Sequence, residues 1–215
     1  MKYKAIIWDM DGTILDTLQD LHDSINHLLR TNGYEERSFE ETRRAVGNGI
    51  RQLVALSVPD GENNPDFERL FGEFREYYSA HCQIKTRPYD GISETLDVLR
   101  AMGIKMAVVS NKIDPAVKEL ASQFYPQLHY ALGEIAGVPR KPAPDMVLAA
   151  LDAIGADKSE TVFIGDSEVD ILTAKNAGLP CISVLWGFRK KEELLLCGAD
   201  VFVDRPSEII KLVQG

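Results

Sequence analysis

Ala5-Ile6-Ile7-Trp8-Asp9-Met10-Asp11-Gly12-Thr13 decides how the rest of the chain is read. Four apolar residues make a short strand of the kind buried on both faces, and Asp9 ends the run. The same grammar returns in the second half. Met106-Ala107-Val108-Val109 leads into a helical pattern over 114–123, with Pro115 at a favourable first-turn position. Thr161-Val162-Phe163-Ile164 leads into one over 169–177, which Gly178 and Pro180 stop. Cys181-Ile182-Ser183-Val184 precedes a helix near 190–196, and Val201-Phe202-Val203 precedes a last helix from Pro206. Apolar strands alternating with helices predict an α/β fold, a doubly wound parallel sheet covered on both faces.

Residues 16–84 break the alternation. They show only helical patterns, near 17–30, 39–46, 49–57 and 67–82, around the turn cluster Pro59-Asp60-Gly61-Glu62-Asn63-Asn64-Pro65. A right-handed crossover between parallel strands needs one helix, not four. The surplus predicts an inserted all-helical cap over 16–84, with 1–15 and 85–215 forming the α/β catalytic core. The cap segment holds seven arginines and no lysine.

Composition bounds the partners. A chain of 215 residues, 45 % hydrophobic and 27 % charged, has the make-up of a globular protein that folds without disulfides or a structural metal. A net charge of −9 repels nucleic acid and anionic membranes, so neither is expected as a partner. Cys82, Cys181 and Cys197 form no CxxC pair and read as reduced thiols. The first apolar run is too short for a signal peptide and no stretch reaches the length of a membrane span. The expected location is cytoplasmic; monomer and homodimer both fit.

In a doubly wound sheet, function gathers beyond the carboxyl ends of the strands, where strand order reverses. The residues that follow the strands are therefore the ones to read. They are Asp9-Met10-Asp11-Gly12-Thr13, then Ser110-Asn111, then Gly165-Asp166-Ser167-Glu168-Val169-Asp170. Carboxylates converging on one rim repel each other unless a cation neutralises them. Mg²⁺ suits the need, because it takes oxygen ligands and uses one or two carboxylates plus substrate phosphate. Asp9 and Asp11 are two apart and lean to one face of an extended backbone. One can attack phosphorus while the other protonates a leaving oxygen. Ser110, the amides near Asn111 and one lysine would hold the transferring phosphoryl group. Lys141, in Pro139-Arg140-Lys141-Pro142, is that lysine, aimed by the prolines that fix the backbone around it.

These residues resemble the four ordered motifs of the haloacid dehalogenase superfamily, in its phosphoglycolate phosphatase-like branch: Asp9-x-Asp11-Gly12-Thr13, Ser110-Asn111, Lys141 and Gly165-Asp166-x-x-x-Asp170. The resemblance spans essentially the whole chain, including the helical insertion after the first motif. It implies Asp9 as nucleophile and Mg²⁺ ligand. It implies Asp11 as general acid/base and as a metal ligand through its backbone carbonyl. Asp166 would be the remaining protein ligand, Asp170 its support, and Ser110, Asn111 and Lys141 the phosphate-binding set. Asp16-Thr17, Asn111-Lys112 and Gly47-Asn48-Gly49 also look like this branch. The last would let a helix N-terminus face the active site, with Arg51 binding a substrate carboxylate.

Competing readings are weaker. Asp9 onward is no EF-hand, because Ile14 stands where that loop needs Gly. Gly165-Asp166-Ser167 is no nucleophile elbow: Val169 replaces the second Gly, and no histidine follows His129. His22 and His27 read as solvated side chains, and Trp8 and Trp186 as packing residues. The expected activity is Mg²⁺-dependent hydrolysis of a small phosphorylated metabolite, phosphoglycolate first among substrates. Pyrophosphate hydrolysis and a sugar-phosphate phosphatase or phosphomutase are the alternatives. A dehalogenase would need neither Mg²⁺ nor Asp11.

Overall fold

The computed structural model of the chain describes residues 2–215. In chain order the elements are β1 (Ala5–Trp8), β2 (Leu15–Asp16), α1 (Leu18–Thr31), α2 (Phe39–Ala45), α3 (Gly49–Ser57), α4 (Phe67–His81), β3 (Arg87–Pro88), α5 (Ile92–Ala101) and β4 (Lys105–Ile113). They continue with α6 (Asp114–Phe124), β5 (Tyr130–Glu134), α7 (Asp145–Ile154), β6 (Thr161–Gly165), α8 (Glu168–Ala177), β7 (Cys181–Val184), α9 (Lys191–Leu196), β8 (Phe202–Val203) and α10 (Pro206–Gln214). The chain divides into two compact units, one of residues up to Leu15 together with Pro88–Gly215, the other Asp16–Arg87.

The first unit is a six-stranded sheet in the order β5-β4-β1-β6-β7-β8. All its pairings are parallel. The period-2 alternation of a strand explains how both faces are filled. Ile6, Trp8, Met106, Val108, Val162 and Ile164 join one apolar cluster with residues of α5, α6 and α10. Ala5, Ile7, Ala107, Val109 and Phe163 join a second cluster with α7 and α8. Successive strand residues thus serve opposite layers, which is why the strands read as unbroken apolar runs.

From β1 the chain builds outward to β4 and β5, then returns to β1's other side with β6. The reversal of strand order lies at β1, so the carboxyl ends of β1, β4 and β6 share one rim. One strand is longer than its apolar run. β4 continues through Ser110, Asn111 and Lys112, and its register with β5 shifts between Val109 and Ile113. Burial persists past the apolar stretch because these polar side chains have partners within the sheet unit, described below.

The second unit is helical. Leu21, Ile25, Leu28 and Leu29 of α1 and Leu70, Phe74 and Tyr78 of α4 are buried at helical spacing, and the two helices pack on each other. Ser38 starts α2 with a capping box, its backbone N–H donating to Glu41 at 2.8 Å. Buried Asp20 accepts the backbone N–H groups of Lys85 at 3.0 Å and Thr86 at 2.8 Å, fixing the end of this unit to α1.

Candidate active site

Asp9 follows β1 directly, and its backbone N–H continues the sheet by donating to the Ile164 carbonyl at 2.8 Å. Its carboxylate is buried, and Lys141 Nζ donates to its Oδ1 at 2.6 Å. The same ammonium donates to Asp170 Oδ1 at 2.7 Å. Asp170 Oδ2 accepts the backbone N–H of Asp166 and of Ser167 and, at 2.7 Å, the Ser167 hydroxyl. One carboxylate therefore caps the first turn of α8 and anchors the lysine. Oxygens of Asp9, Asp166 and Asp170 lie within 4.8 Å of one another, all three residues buried.

Lys141 reaches this point from a turn. The backbone N–H of Ala143 donates to the Arg140 carbonyl at 2.9 Å, and the Lys141–Pro142 peptide is cis. The proline-flanked segment thus forms a turn around Lys141. Asn111 Nδ2 donates to the Lys141 carbonyl at 3.0 Å, tying β4 to the turn.

Asp11 lies beside Ser110, whose hydroxyl is 3.5 Å from Asp11 Oδ2. Its other oxygen accepts from Lys112 Nζ at 3.0 Å. Lys112 is buried, its side chain 2 % exposed against 16 % for Asp11. The resemblance includes Asn111-Lys112 but gives the lysine no role. The signal was its position two residues beyond Ser110 on the same strand, which gives both side chains one face.

The charges gathered here do not balance. One ammonium faces three buried carboxylates. Burial and Asp170 push the Asp9 carboxyl well above the ordinary carboxylate range, against the pull of Lys141. Burial and Asp170 raise Asp166 to about 7, although the Phe188 N–H and Arg189 oppose the shift. Burial alone would lower Lys141; Asp170 and Asp9 outweigh it and hold the ammonium above its ordinary value. Excess negative charge in an all-oxygen pocket is the donor chemistry that a hard divalent cation satisfies. Asp9 and Asp166 would hold Mg²⁺, with the Asp11 backbone carbonyl as the further ligand expected from sequence. The Asp170 oxygens already have donors.

A fourth strand end belongs to this rim and was missed. The segment 185–190 after β7 brings the Phe188 backbone N–H to Asp166 Oδ2 at 2.6 Å. Two glycines permit the approach. A Cβ on Gly12, whose φ is +86°, would fall 2.4 Å from Asp166 Oδ2. A Cβ on Gly187 would fall 2.3 Å from the Asp166 Cβ. The clue in the sequence was Gly187, three residues past Val184 at the end of β7.

Arg51 is placed differently from its expected role. Within the helical unit its guanidinium donates to Glu68 at 2.6 Å, lies 3.4 Å from Glu62, and sits over the Phe67 and Phe71 rings. Glu68 and Glu62 fill the carboxylate-binding capacity that a substrate was expected to use. The expected helix start does form: α3 begins at Gly49, after Asn48. His22 bonds Thr42 at 3.0 Å, and His27 stacks on Tyr77, so both are structural rather than simply solvated. Trp186 packs at the core edge and also donates from Nε1 to the Thr13 carbonyl at 2.9 Å.

Comparison with known proteins agrees with this geometry. The profile of the haloacid dehalogenase-like hydrolases matches residues 6–184. The N-acetylmuramic acid 6-phosphate phosphatase of Pseudomonas aeruginosa is 34 % identical, covering 100 % of this chain and 96 % of its own. The phosphoglycolate phosphatase of Aquifex aeolicus is 30 % identical, covering 99 % of this chain and 97 % of its own. A crystal structure from Lactobacillus delbrueckii subsp. bulgaricus, provisionally assigned as a phosphoglycolate phosphatase, superposes with a TM-score of 0.94. It is 37 % identical and the match covers 99 % of both chains. The chain is a phosphatase of the haloacid dehalogenase-like hydrolase family, in its phosphoglycolate phosphatase-like branch.

Proposed function

We propose that the chain hydrolyses a small phosphomonoester by way of an aspartyl-phosphate on Asp9, with Mg²⁺ as cofactor. The observation that carries this reading is Lys141 Nζ joined to both Asp9 and Asp170, beside a third buried carboxylate on Asp166. Asp9 uses its Oδ2, the oxygen not engaged by Lys141, to attack phosphorus. The bond from phosphorus to the ester oxygen breaks, and Asp11 gives its proton to the departing alkoxide. Asp11, now ionised, takes a proton from water as that water attacks the phosphoryl group, and the bond to Asp9 breaks to release phosphate. Lys112, 3.0 Å from Asp11, holds that carboxylate in place between the two steps. Ser110 and Asn111 bind the phosphoryl oxygens, and Lys141 steadies Asp9. Mg²⁺, when bound, offsets the charge of Asp9, Asp166 and the phosphate so that nucleophile and substrate can approach.

The substrate class we propose is a phosphomonoester that also bears a carboxylate, with phosphoglycolate the first choice. The two relatives support it together: phosphoglycolate and N-acetylmuramic acid 6-phosphate each carry one carboxylate besides the phosphate. The muramic acid ester is the second choice, on the strength of the 34 % identity over the whole chain. Arg51 remains a candidate for that carboxylate, provided the substrate displaces Glu68. A Mg²⁺-dependent hydrolysis panel tests the reading, with p-nitrophenyl phosphate for the class and then phosphoglycolate, N-acetylmuramic acid 6-phosphate, pyrophosphate and hexose phosphates. The carboxylate-bearing esters should show the highest kcat/KM. Equal rates on hexose phosphates would refute the substrate class, and full activity in excess EDTA would refute the metal.

A further inference from the structure

We infer that loop 186–189, held by the ion pair of Arg189 with Glu168, is a positioning device for Asp166 that sets the affinity of the cation site. The inference rests on the reading of Asp166 as a cation ligand.

The two oxygens of Asp166 are not equivalent. Oδ2 accepts the Phe188 N–H at 2.6 Å, a short charge-assisted bond. Oδ1 meets the Thr13 hydroxyl at 3.3 Å, a much weaker contact, and is the oxygen left for a cation. Which way the carboxylate faces therefore depends on where one backbone N–H stands. The loop carrying that N–H is pressed against its surroundings, since a Cβ on Gly187 would fall 2.5 Å from both Asp166 Oδ2 and the Gly12 carbonyl oxygen.

The loop is tied on two sides. Trp186 Nε1 donates to the Thr13 carbonyl at 2.9 Å, joining it to the segment that carries Asp9 and Asp11. Arg189 donates from Nε and Nη2 to the two oxygens of Glu168 at 2.7 and 3.0 Å. Glu168 opens α8, two residues after Asp166. The Arg189 side chain is 8 % exposed and that of Glu168 33 %, so the guanidinium is shielded from water while the two parallel bonds fix the geometry of the pair. Asp166 is thus clasped between two neighbours of known bonding, Phe188 ahead of it in space and Glu168 after it in sequence, which Arg189 links to each other. Groups that orient a metal ligand typically change affinity 10–100-fold when altered.

The test is Mg²⁺ binding to substrate-free protein by calorimetry, with Mn²⁺ paramagnetic resonance as a second readout. Glu168→Gln and Arg189→Lys should each weaken cation binding about tenfold, and saturating Mg²⁺ should restore most of kcat. Gly187→Ala should weaken binding further. Thermal melting in EDTA checks that each variant folds; if Arg189→Lys does not, Glu168→Gln decides alone. Wild-type affinity in the folded variants overturns the inference, provided Asp166→Asn has lost the cation. If Asp166→Asn binds Mg²⁺ as the wild type does, the assignment of the ligand itself has failed.

Discussion

The sheet unit and the helical unit contain ion pairs of the same length and opposite meaning. Lys141–Asp9 and Arg51–Glu68 both close to 2.6 Å. The first pair is 2 % and 9 % exposed, the second 34 % and 75 %. Distance alone would rank them equal. Surroundings separate them, because water screens the second pair and competes for its partners, whereas the first has only other protein groups to answer to. The helical unit spreads its charge over many solvated pairs, Arg44–Glu40 and Arg69–Glu73 among them. The sheet unit concentrates charge at one rim, where any imbalance must be met by a ligand.

This contrast can be broken experimentally, most severely at the rim. Asp9→Asn should abolish Mg²⁺-dependent hydrolysis of p-nitrophenyl phosphate, by about 10⁴-fold or more, while circular dichroism shows an intact fold. Retained turnover would mean that the concentrated charge serves stability and not chemistry. Lys141→Met removes the ammonium from two buried carboxylates and should cost about 3–5 kcal/mol in chemical denaturation. A cost no larger than that of Arg51→Met would erase the distinction between the units.

A subtler consequence concerns pH. An ordinary carboxylate ionises near 4, whereas Asp166 is held at about 7 by burial and Asp170. The folded state then keeps a proton that the unfolded state has released between those values. Asp166 therefore favours folding below about 4 and loses that contribution as pH rises towards 7, opposite to a salt-bridged carboxylate. In EDTA the melting temperature should fall across this window, and Asp166→Asn should flatten the slope. Mg²⁺ should stabilise the protein more at pH 8 than at pH 6, because the cation competes with that proton. A metal effect independent of pH would sink the charge-excess argument. The smallest effect belongs to the solvated side: Arg51→Ala should leave the melting temperature nearly unchanged. If Arg51 does meet the substrate, KM for phosphoglycolate will rise while KM for p-nitrophenyl phosphate stays put.

Most of this was legible where a residue's neighbours in sequence are also its neighbours in space. Five of the six sheet strands announced themselves as apolar runs, and Asp9, Ser110 and Asp166 followed from standing at the ends of those runs; β5, Tyr130–Glu134, escaped because it is short, only partly buried and interrupted by Gly133. The four helices of the 16–87 unit fall within a residue or so of their periodic patterns. What escaped depended on distant backbone. The bond from Phe188 to Asp166 is made by an N–H, which every residue but proline carries, so no side-chain pattern reveals it. Leu185-Trp186-Gly187-Phe188 also reads as a continuation of β7 rather than as a loop. The ion pairs of Arg51 with Glu68 and Glu62 escaped for a related reason: an arginine shows its charge in sequence but not which of several nearby glutamates will claim it.

The position of β1 has a cost that the finished molecule hides. Ala5 pairs with Lys105 on one side and Thr161 on the other, so β1 must wait for about a hundred further residues before its first neighbour exists and for still more before its second. Until then its apolar side chains have no sheet to lie against, while the helices of residues 16–87 have their packing partners within their own unit. Asp9, whose backbone N–H bonds the Ile164 carbonyl, is therefore held in place only after β6 has been made.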